Sequence, residues 1–371
     1  MTSSGLDMSN RVFLGESDLP DVEIPWRIQS EVARVIRGLP ETVRLVTIAL
    51  FAQGHILLRG LPGVAKTTLL RALSKTIGGG FSRISGTPDL MPTEFLFSMW
   101  PTLEGIDGTL PPKAIKVGEL AYHLGPLLMH GESLAIVLLD EINRIQSKTQ
   151  SAFLEIMQER GITFGTQRLR IPHALFVATR NPLETEETFE LPEAQRDRFM
   201  FEGNVLKPDE DVRRELMTNP LFQDVDELIN QVNQVIGLDE LYAIRRRIQE
   251  NILISQELAR YIIDLSEATW HPGDFVTIPE MEGKELDDMV RAGLSPRAEI
   301  VLAQAGRVVA WMNGRAYVTP SDIQEIFLDA ASHRFFLSRL SMRRRTDLAR
   351  EILAGILKKV PAPREANGKI G

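Results

Sequence analysis

The chain has 371 residues, 43% of them hydrophobic and 25% charged, the composition of a globular protein long enough for two or three compact units. It contains no cysteine, which excludes a disulfide framework, a thiol nucleophile and a Cys-based zinc site. Its net charge of −8 argues against a protein whose main task is to wrap nucleic acid, because neutralising phosphates takes clustered Lys and Arg.

Residues 1–29 mix Ser, Gly, Asp and Pro without apolar periodicity and read as a mobile tail. No basic start followed by an apolar segment occurs there, and runs such as Leu134 to Leu139 are too short to span a bilayer, so a cytoplasmic protein is expected. From Glu31, the spacing of Val32, Val35 and Ile36, then of Val43, Val46 and Leu50, predicts two short helices. The run His55 to Arg59 predicts a buried strand, and Thr67 to Thr76 an amphipathic helix with Leu69, Leu70 and Leu73 inward.

Between that strand and helix stands Gly60-Leu61-Pro62-Gly63-Val64-Ala65-Lys66-Thr67, followed by Thr68. In such a turn, backbone N–H groups and the positive helix end can surround a polyphosphate, with Lys66 reaching the β- and γ-phosphates and the Thr67 hydroxyl on Mg²⁺. The alternative is a plain turn that uses Gly and Pro; the flanking strand and helix favour the phosphate loop. Ala65 occupies the place where a second glycine usually falls. If φ is positive there, its methyl group costs about 1 kcal/mol, which retunes binding rather than abolishing it.

Ala135 to Leu139 and Leu175 to Thr179 are further short apolar strands, and the alternation with helices to about Met200 implies an α/β unit with a parallel sheet. The first delivers Asp140 and Glu141 at its carboxyl end, where such sheets bind ligands. Asp140 is expected to hold Mg²⁺, directly or through water, and Glu141 to polarise an attacking water; capping of a helix starting at Ser147 is the alternative. Asn181, after the second strand, is placed to bond a γ-phosphate or the lytic water, although Asn before Pro is also an ordinary turn former. From Pro208 the pattern is of helices alone, at Asp209–Met217, Val225–Val235, Ser255–Thr269, Ser295–Met312 and Pro320–Ser332. Trp270 to Val290 reads as an exposed loop and the end after Val360 as disordered. Arg245-Arg246-Arg247 and Arg343-Arg344-Arg345 read as solvated helix faces. Hairpins are expected at Gly161–Ile171 and around Glu104–Gly108. The six histidines lack metal-ligand spacing, and the four tryptophans form no stacking platform. The domains follow: a core over 30–206, a helical lid over 207–340, and a C-terminal helix and tail over 341–371.

The phosphate loop, Thr87-Pro88-Asp89-Leu90, Leu138 to Arg144 running into Lys148-Thr149-Gln150-Ser151, Leu191-Pro192-Glu193-Ala194-Gln195 with Asp197-Arg198-Phe199, and Ser295-Pro296-Arg297-Ala298 together resemble MoxR-type AAA+ ATPases, from about Glu31 to Arg334. Ala before the loop Lys is itself frequent in that family. The resemblance implies an AAA+ P-loop NTPase core with an all-helical lid, hydrolysing ATP with Mg²⁺ in a homo-oligomeric ring expected to be a hexamer. It implies Walker A at Lys66 and Thr67, Walker B at Asp140 and Glu141, sensor 1 at Asn181, an arginine finger at Arg198 that reaches a neighbour's nucleotide, and sensor 2 at Arg297. It further implies chaperone-like work on a client with a von Willebrand factor A domain partner, and likens the 161–171 hairpin to the insertion of the helix-2-insert group. A chelatase-type subunit, a nucleic-acid motor and a nucleotide-gated scaffold without turnover are the rivals. Two positions depart from the family pattern: Arg180 replaces a common Gln, and Arg196 stands where an apolar residue is common.

Overall fold

Ile24, Ile28, Val32 and Val35 repeat at helical spacing and are all buried, and they make α1 (Ile24–Val35) the first element among the described residues. The computed structural model describes residues 19–61, 63–102, 114–117, 120–164, 167–181, 189–278, 283–338 and 342–364. Residues 24–29, expected within a mobile tail, are thus part of the packed structure. After α2 (Pro40–Phe51) the chain continues through β1 (Ile56–Gly60), α3 (Lys66–Thr76), β2 (Gly80–Ser85), β3 (Phe97–Thr102), β4 (Ala114–Val117), β5 (Leu120–Leu124) and β6 (Leu134–Asp140). Then follow α4 (Ser147–Glu159), β7 (Gly161–Phe164), β8 (Gln167–Arg170), β9 (Leu175–Arg180), α5 (Glu193–Arg196) and β10 (Phe201–Val205).

Five strands form one parallel sheet in the order β10-β1-β9-β6-β2. Leu134 to Leu139 of β6 are all 0% exposed, as a strand covered on both faces requires. One face packs on α1, α2, α3 and the helical part; the other packs on α4, with Phe153, Leu154 and Phe176 at its centre. The connection from β2 to β6, where a parallel pair needs a crossover helix, instead carries a three-stranded antiparallel sheet, β3-β5-β4. The expected hairpin at 161–171 forms as β7 paired with β8, but between α4 and β9. The insertion standing in place of the core's second crossover helix is therefore the β3–β5 segment, not the 161–171 hairpin. The expected turn around Glu104–Gly108 lies outside the described residues.

The C-terminal part comprises α6 (Glu210–Thr218), α7 (Val225–Asn230), α8 (Leu238–Asn251), α9 (Gln256–Ala268), α10 (Gly283–Met289), β11 (Val290–Ala292), α11 (Pro296–Met312), α12 (Pro320–Ala331), β12 (Phe336–Leu337) and α13 (Met342–Lys359). Among the described residues its regular elements are helices apart from the antiparallel ribbon β11–β12 and a single bridge between Leu253 and Tyr317. Thr319 and Asp322 form a capping box at the start of α12. Three expectations change. The stretch read as an exposed loop at 270–290 contains α10, whose Leu286 and Met289 are buried, and Gly273 N–H donates to Asp287 Oδ1 at 2.7 Å. Helix α7 stops at Asn230, short of Val235. Arg245 is not solvated: it is 4% exposed and its Nε donates to the Leu50 carbonyl at the end of α2, at 2.7 Å. Burial pulls its pKa down to about 9, and the helix-end carbonyl compensates in part for the buried charge.

Candidate nucleotide-binding site

The phosphate loop is built by close backbone packing at the carboxyl end of β1. Gly60 pairs with Val205, and a Cβ at Gly60 would meet the Val205 side chain and carbonyl at 2.9 Å. Gly63 takes φ +79° with open space around it. Ala65 takes φ 57°, ψ 23°, so the condition under which its methyl group strains the loop is met. Ala65→Gly is accordingly expected to stabilise the fold by up to about 1 kcal/mol, read as a shift in the denaturant midpoint at constant slope.

Helix α3 starts at Lys66 with no side-chain cap, which leaves its first-turn N–H groups facing the loop without a side-chain acceptor. Val64 is buried and anchors the loop, while Thr67 and Thr68 are half-buried in the first turn. Pro62 lies outside the described residues. The Lys66 ammonium folds back onto the loop, donating to the carbonyls of Gly60 at 3.0 Å and Leu61 at 3.4 Å. Half-burial draws its pKa below the ordinary lysine value, and the facing carboxylates of Asp140 and Glu141 oppose that shift.

Both oxygens of Asp140 are engaged. Oδ1 accepts from the Thr179 hydroxyl at 2.7 Å, and Oδ2 accepts from Arg83 on β2 at 2.6 Å. Thr179 also accepts from the Glu141 N–H at 2.9 Å. Glu141 sits in the left-handed region at φ 56°, ψ 53°, a conformation that needs external support in a non-glycine residue. Thr179 supplies part of that support. Gly86 supplies another part, because its N–H donates to the Asp140 carbonyl at 2.7 Å and a Cβ there would lie 2.3 Å from the Glu141 carbonyl. The Glu141 carboxylate pairs with Arg144 at 3.2 Å. Neither acid caps α4, whose N-cap position is taken by Gln146 with no side-chain capping bond, so the capping alternative does not hold. Asn181 directly follows β9, the strand between β1 and β6, and so stands at the carboxyl end of the strands between the phosphate loop and the Asp140–Glu141 pair.

Arg198 and Arg297 are elsewhere. Met200 N–H donates to the His55 carbonyl at 2.6 Å and Phe201 pairs with Ile56, which sets Arg198 at the amino end of β1. Four strand steps separate Ile56 from Gly60, roughly 13 Å, so Arg198 faces away from the chain's own phosphate loop. Arg297 is beside it: the two line one cleft of about 540 Å³ together with Arg160 and Arg334. Asp197 ties this side together, accepting from Arg334 Nε at 2.7 Å and pairing with Arg297 at 3.7 Å. The seven residues expected to carry the chemistry thus divide between opposite ends of the strands: Lys66, Thr67, Asp140, Glu141 and Asn181 at the carboxyl ends, Arg198 and Arg297 at the amino end of β1.

Thr179, Arg83 and Gly86 carry no motif of their own and no role is assigned to them from the sequence; Arg144 ends the Leu138 to Arg144 motif but has no role assigned there. Nor was a cleft of about 760 Å³ beside the phosphate loop, lined by Trp26, Ile36, Gly38, Pro40, Asn204 and Leu206. Its walls mix apolar side chains with charged ones, Arg37, Glu41, Lys207 and Asp209 among them, and its one sequence signal is Gly38, which takes φ +74° with Pro208 Cβ 2.9 Å from where a side chain would begin. Among the described residues no group of three or more His, Asp and Glu is placed to hold a metal, and no helix is long and apolar enough to cross a membrane.

Two family models match the chain: the ATPase family associated with various cellular activities (AAA) over residues 55–201, and the AAA lid domain over residues 285–353. Protein MoxR of Methylorubrum extorquens is 36% identical over 340 residues, 91% of this chain and 94% of that protein. Protein MoxR of Paracoccus denitrificans is 35% identical over 355 residues, 94% of this chain and 99% of that protein. Chaperone MoxR1 of Mycobacterium tuberculosis is 34% identical over 316 residues, 83% of this chain and 74% of that protein. A crystal structure from Cytophaga hutchinsonii, assigned as an ATPase, matches with a TM-score of 0.76 and 32% identity, covering 92% of this chain and 96% of that one.

Proposed function

The chain belongs to the MoxR-type AAA+ ATPases, and from that premise we propose that it hydrolyses ATP in a ring of identical subunits, expected to be hexameric, to remodel or activate a partner protein in the cytoplasm. The observation that carries the reading is the division of the site: an uncapped helix start, Lys66, Asp140, Glu141 and Asn181 at the carboxyl ends of the strands, and Arg198 with Arg297 at the amino end of β1. A chain with half a site at each end of its strands completes both halves only by stacking against copies of itself.

The residues present suit ATP and Mg²⁺. The left-handed glycine of the loop leaves room for phosphate oxygens, and the α3 N–H groups with Lys66 supply donors and positive charge. Thr67 and Asp140 are the hydroxyl and carboxylate expected to hold the metal, which when bound neutralises charge developing on the phosphoryl oxygens. Glu141, poised by Thr179 and Gly86, orients and deprotonates the attacking water. The cleft between Gly38 and Leu206 is placed to take the base and ribose. Since Arg297 shares the Arg198 cleft, both guanidinium groups act on the neighbour's nucleotide.

A protein client is favoured over nucleic acid by the net charge of −8, and the name of one relative as a chaperone supports it. The von Willebrand factor A domain partner rests on the family resemblance alone. A chelatase-type subunit shares the same core and differs in its client. In a hydrolysis assay, activity per subunit is expected to rise with protein concentration and to ignore added DNA or RNA. Several-fold stimulation by single-stranded DNA at physiological salt would instead favour the nucleic-acid motor.

A further inference from the structure

Arg180 and Arg196, the two positions that depart from the family pattern, meet at one buried carboxylate. Glu202 on β10 is 4% exposed. Register sets it on the same sheet face as Arg180: Glu202 pairs with Leu57 and Arg180 with Arg59, two residues further along β1. Arg180 Nη2 donates to Glu202 Oε1, and Arg196 lies 3.6 Å from Oε2. Burial pushes the Glu202 pKa up, and Arg180 and Arg196 outweigh it, holding the carboxyl below its ordinary range. The Nε atoms of both arginines are buried and make no hydrogen bond among the described residues, and Glu202 acts on Arg196 more strongly than Glu190 and Glu193 do.

The position of this cluster gives it a role. Arg180 immediately precedes Asn181, at the strand end where the chain's own nucleotide is read. Arg196 belongs to α5, the single turn that leads into Arg198. Arg196 also stacks over Phe336 of β12, 5.4 Å from the ring centre, while Arg334 and His333 hold the far end of the turn through Asp197 and the Phe199 carbonyl. The α5 turn is therefore tied to the sheet through Glu202, to α4 through Gln195, whose Nε2 donates to Ser151 Oγ at 3.0 Å, and to the helical part through Arg196 and Asp197.

We propose that Glu202, with Arg180 and Arg196, is a positioning residue: it fixes α5 against the strand that ends at Asn181 and so aims Arg198 at the neighbouring subunit's nucleotide. The inference deepens the proposed function and rests on Arg198 acting between subunits. Loosening α5 by a fraction of an ångström misplaces a group that must meet a transferring phosphoryl, while leaving the chain's own phosphate loop intact.

Glu202→Gln, made in the full chain, tests this. ATP affinity and ring mass are expected to be unchanged and kcat to fall on the order of 10- to 100-fold. Mixing Glu202→Gln with Glu141→Gln is expected to restore part of the activity, because the Glu141→Gln subunits present correctly aimed fingers to sites whose Glu141 is intact. A role in holding the fold, or one confined to Asn181 in the same subunit, gives no such recovery. Arg196→Leu keeps the Glu202–Arg180 pair and is expected to show the same pattern; it decides the matter alone if Glu202→Gln does not fold. Unchanged kcat in either folded variant overturns the inference. So does absence of recovery in the mixture when an Arg198→Ala and Glu141→Gln mixture run alongside does recover. Failure of that control overturns the finger reading itself, and the inference with it.

Discussion

Arg198→Ala is expected to bind ATP as the unaltered protein does and to hydrolyse it on the order of 10³-fold or more slowly. The separation of effects follows from the sheet. Arg198 is held at the amino end of β1 by the Met200–His55 hydrogen bond, whereas Lys66 and the Asp140–Glu141 pair lie at the carboxyl end. Its guanidinium is thus too far from the chain's own loop to contribute to ground-state binding there. An arginine brought to a transferring phosphoryl group from a second subunit is worth about 10³–10⁵ in rate in well-studied systems. Fluorescent-nucleotide binding and steady-state turnover, measured on the same preparation, check both halves. Mixed with Glu141→Gln, the variant is expected to regain part of its activity, and Arg297→Ala to behave alike because it shares the cleft. Turnover close to that of the unaltered protein in isolated Arg198→Ala would remove the finger from the mechanism.

Much of this arrangement was legible in the residues, and the misses have physical causes. The β1–α3 unit, β6 and β9 announce themselves because buried parallel strands are short continuous apolar runs with polar residues at their carboxyl ends. Ala65 could be marked as conditionally strained, since the requirement for positive φ belongs to the turn and not to the residue. Arg245 was misread because a triplet of arginines on a helix spans about 200° of the surface, at 100° per residue, so one member can point inward where a helix end offers carbonyls. Helix α1 begins earlier than expected because Ile24 and Ile28 stand among Pro, Asp and Glu, and composition masked the periodicity. Asp140, Glu141 and Asn181 stand at the same end of the strands because their strands are parallel neighbours, which the motif order implies. The supports of Glu141 are different. Thr179 and Gly86 act through hydrogen bonds and a missing Cβ across strands, and nothing local in the chain marks them. Arg180 and Arg196 read as two unrelated departures until β10 brings Glu202 between them.

The sharpest contrast is expected between Lys66→Ala and Glu141→Gln. Lys66 is half-buried among the loop carbonyls and faces two carboxylates, so its removal takes away the loop's own cation and leaves Asp140 and Glu141, each with one arginine partner, facing the space a polyphosphate must enter. Each charged hydrogen bond lost is worth about 1.5–3 kcal/mol, enough to weaken ATP binding by on the order of 100-fold or more. Glu141→Gln changes a charge and no shape. The left-handed backbone at 141 is held by the Thr179 hydroxyl and the Gly86 contact, neither of which involves the side chain, so the site is expected to stay assembled and to bind ATP fully. What disappears is the base that orients and deprotonates the attacking water, a contribution of about 10²–10⁴ in rate. Equilibrium binding and single-turnover hydrolysis on the two variants separate the roles. Binding lost in Lys66→Ala, with binding kept and turnover lost in Glu141→Gln, is the expected pair of results. Turnover unchanged in Glu141→Gln would assign the base to another group. Binding lost in Glu141→Gln would instead mean that the Glu141 charge, paired with Arg144, holds the site together before any nucleotide arrives.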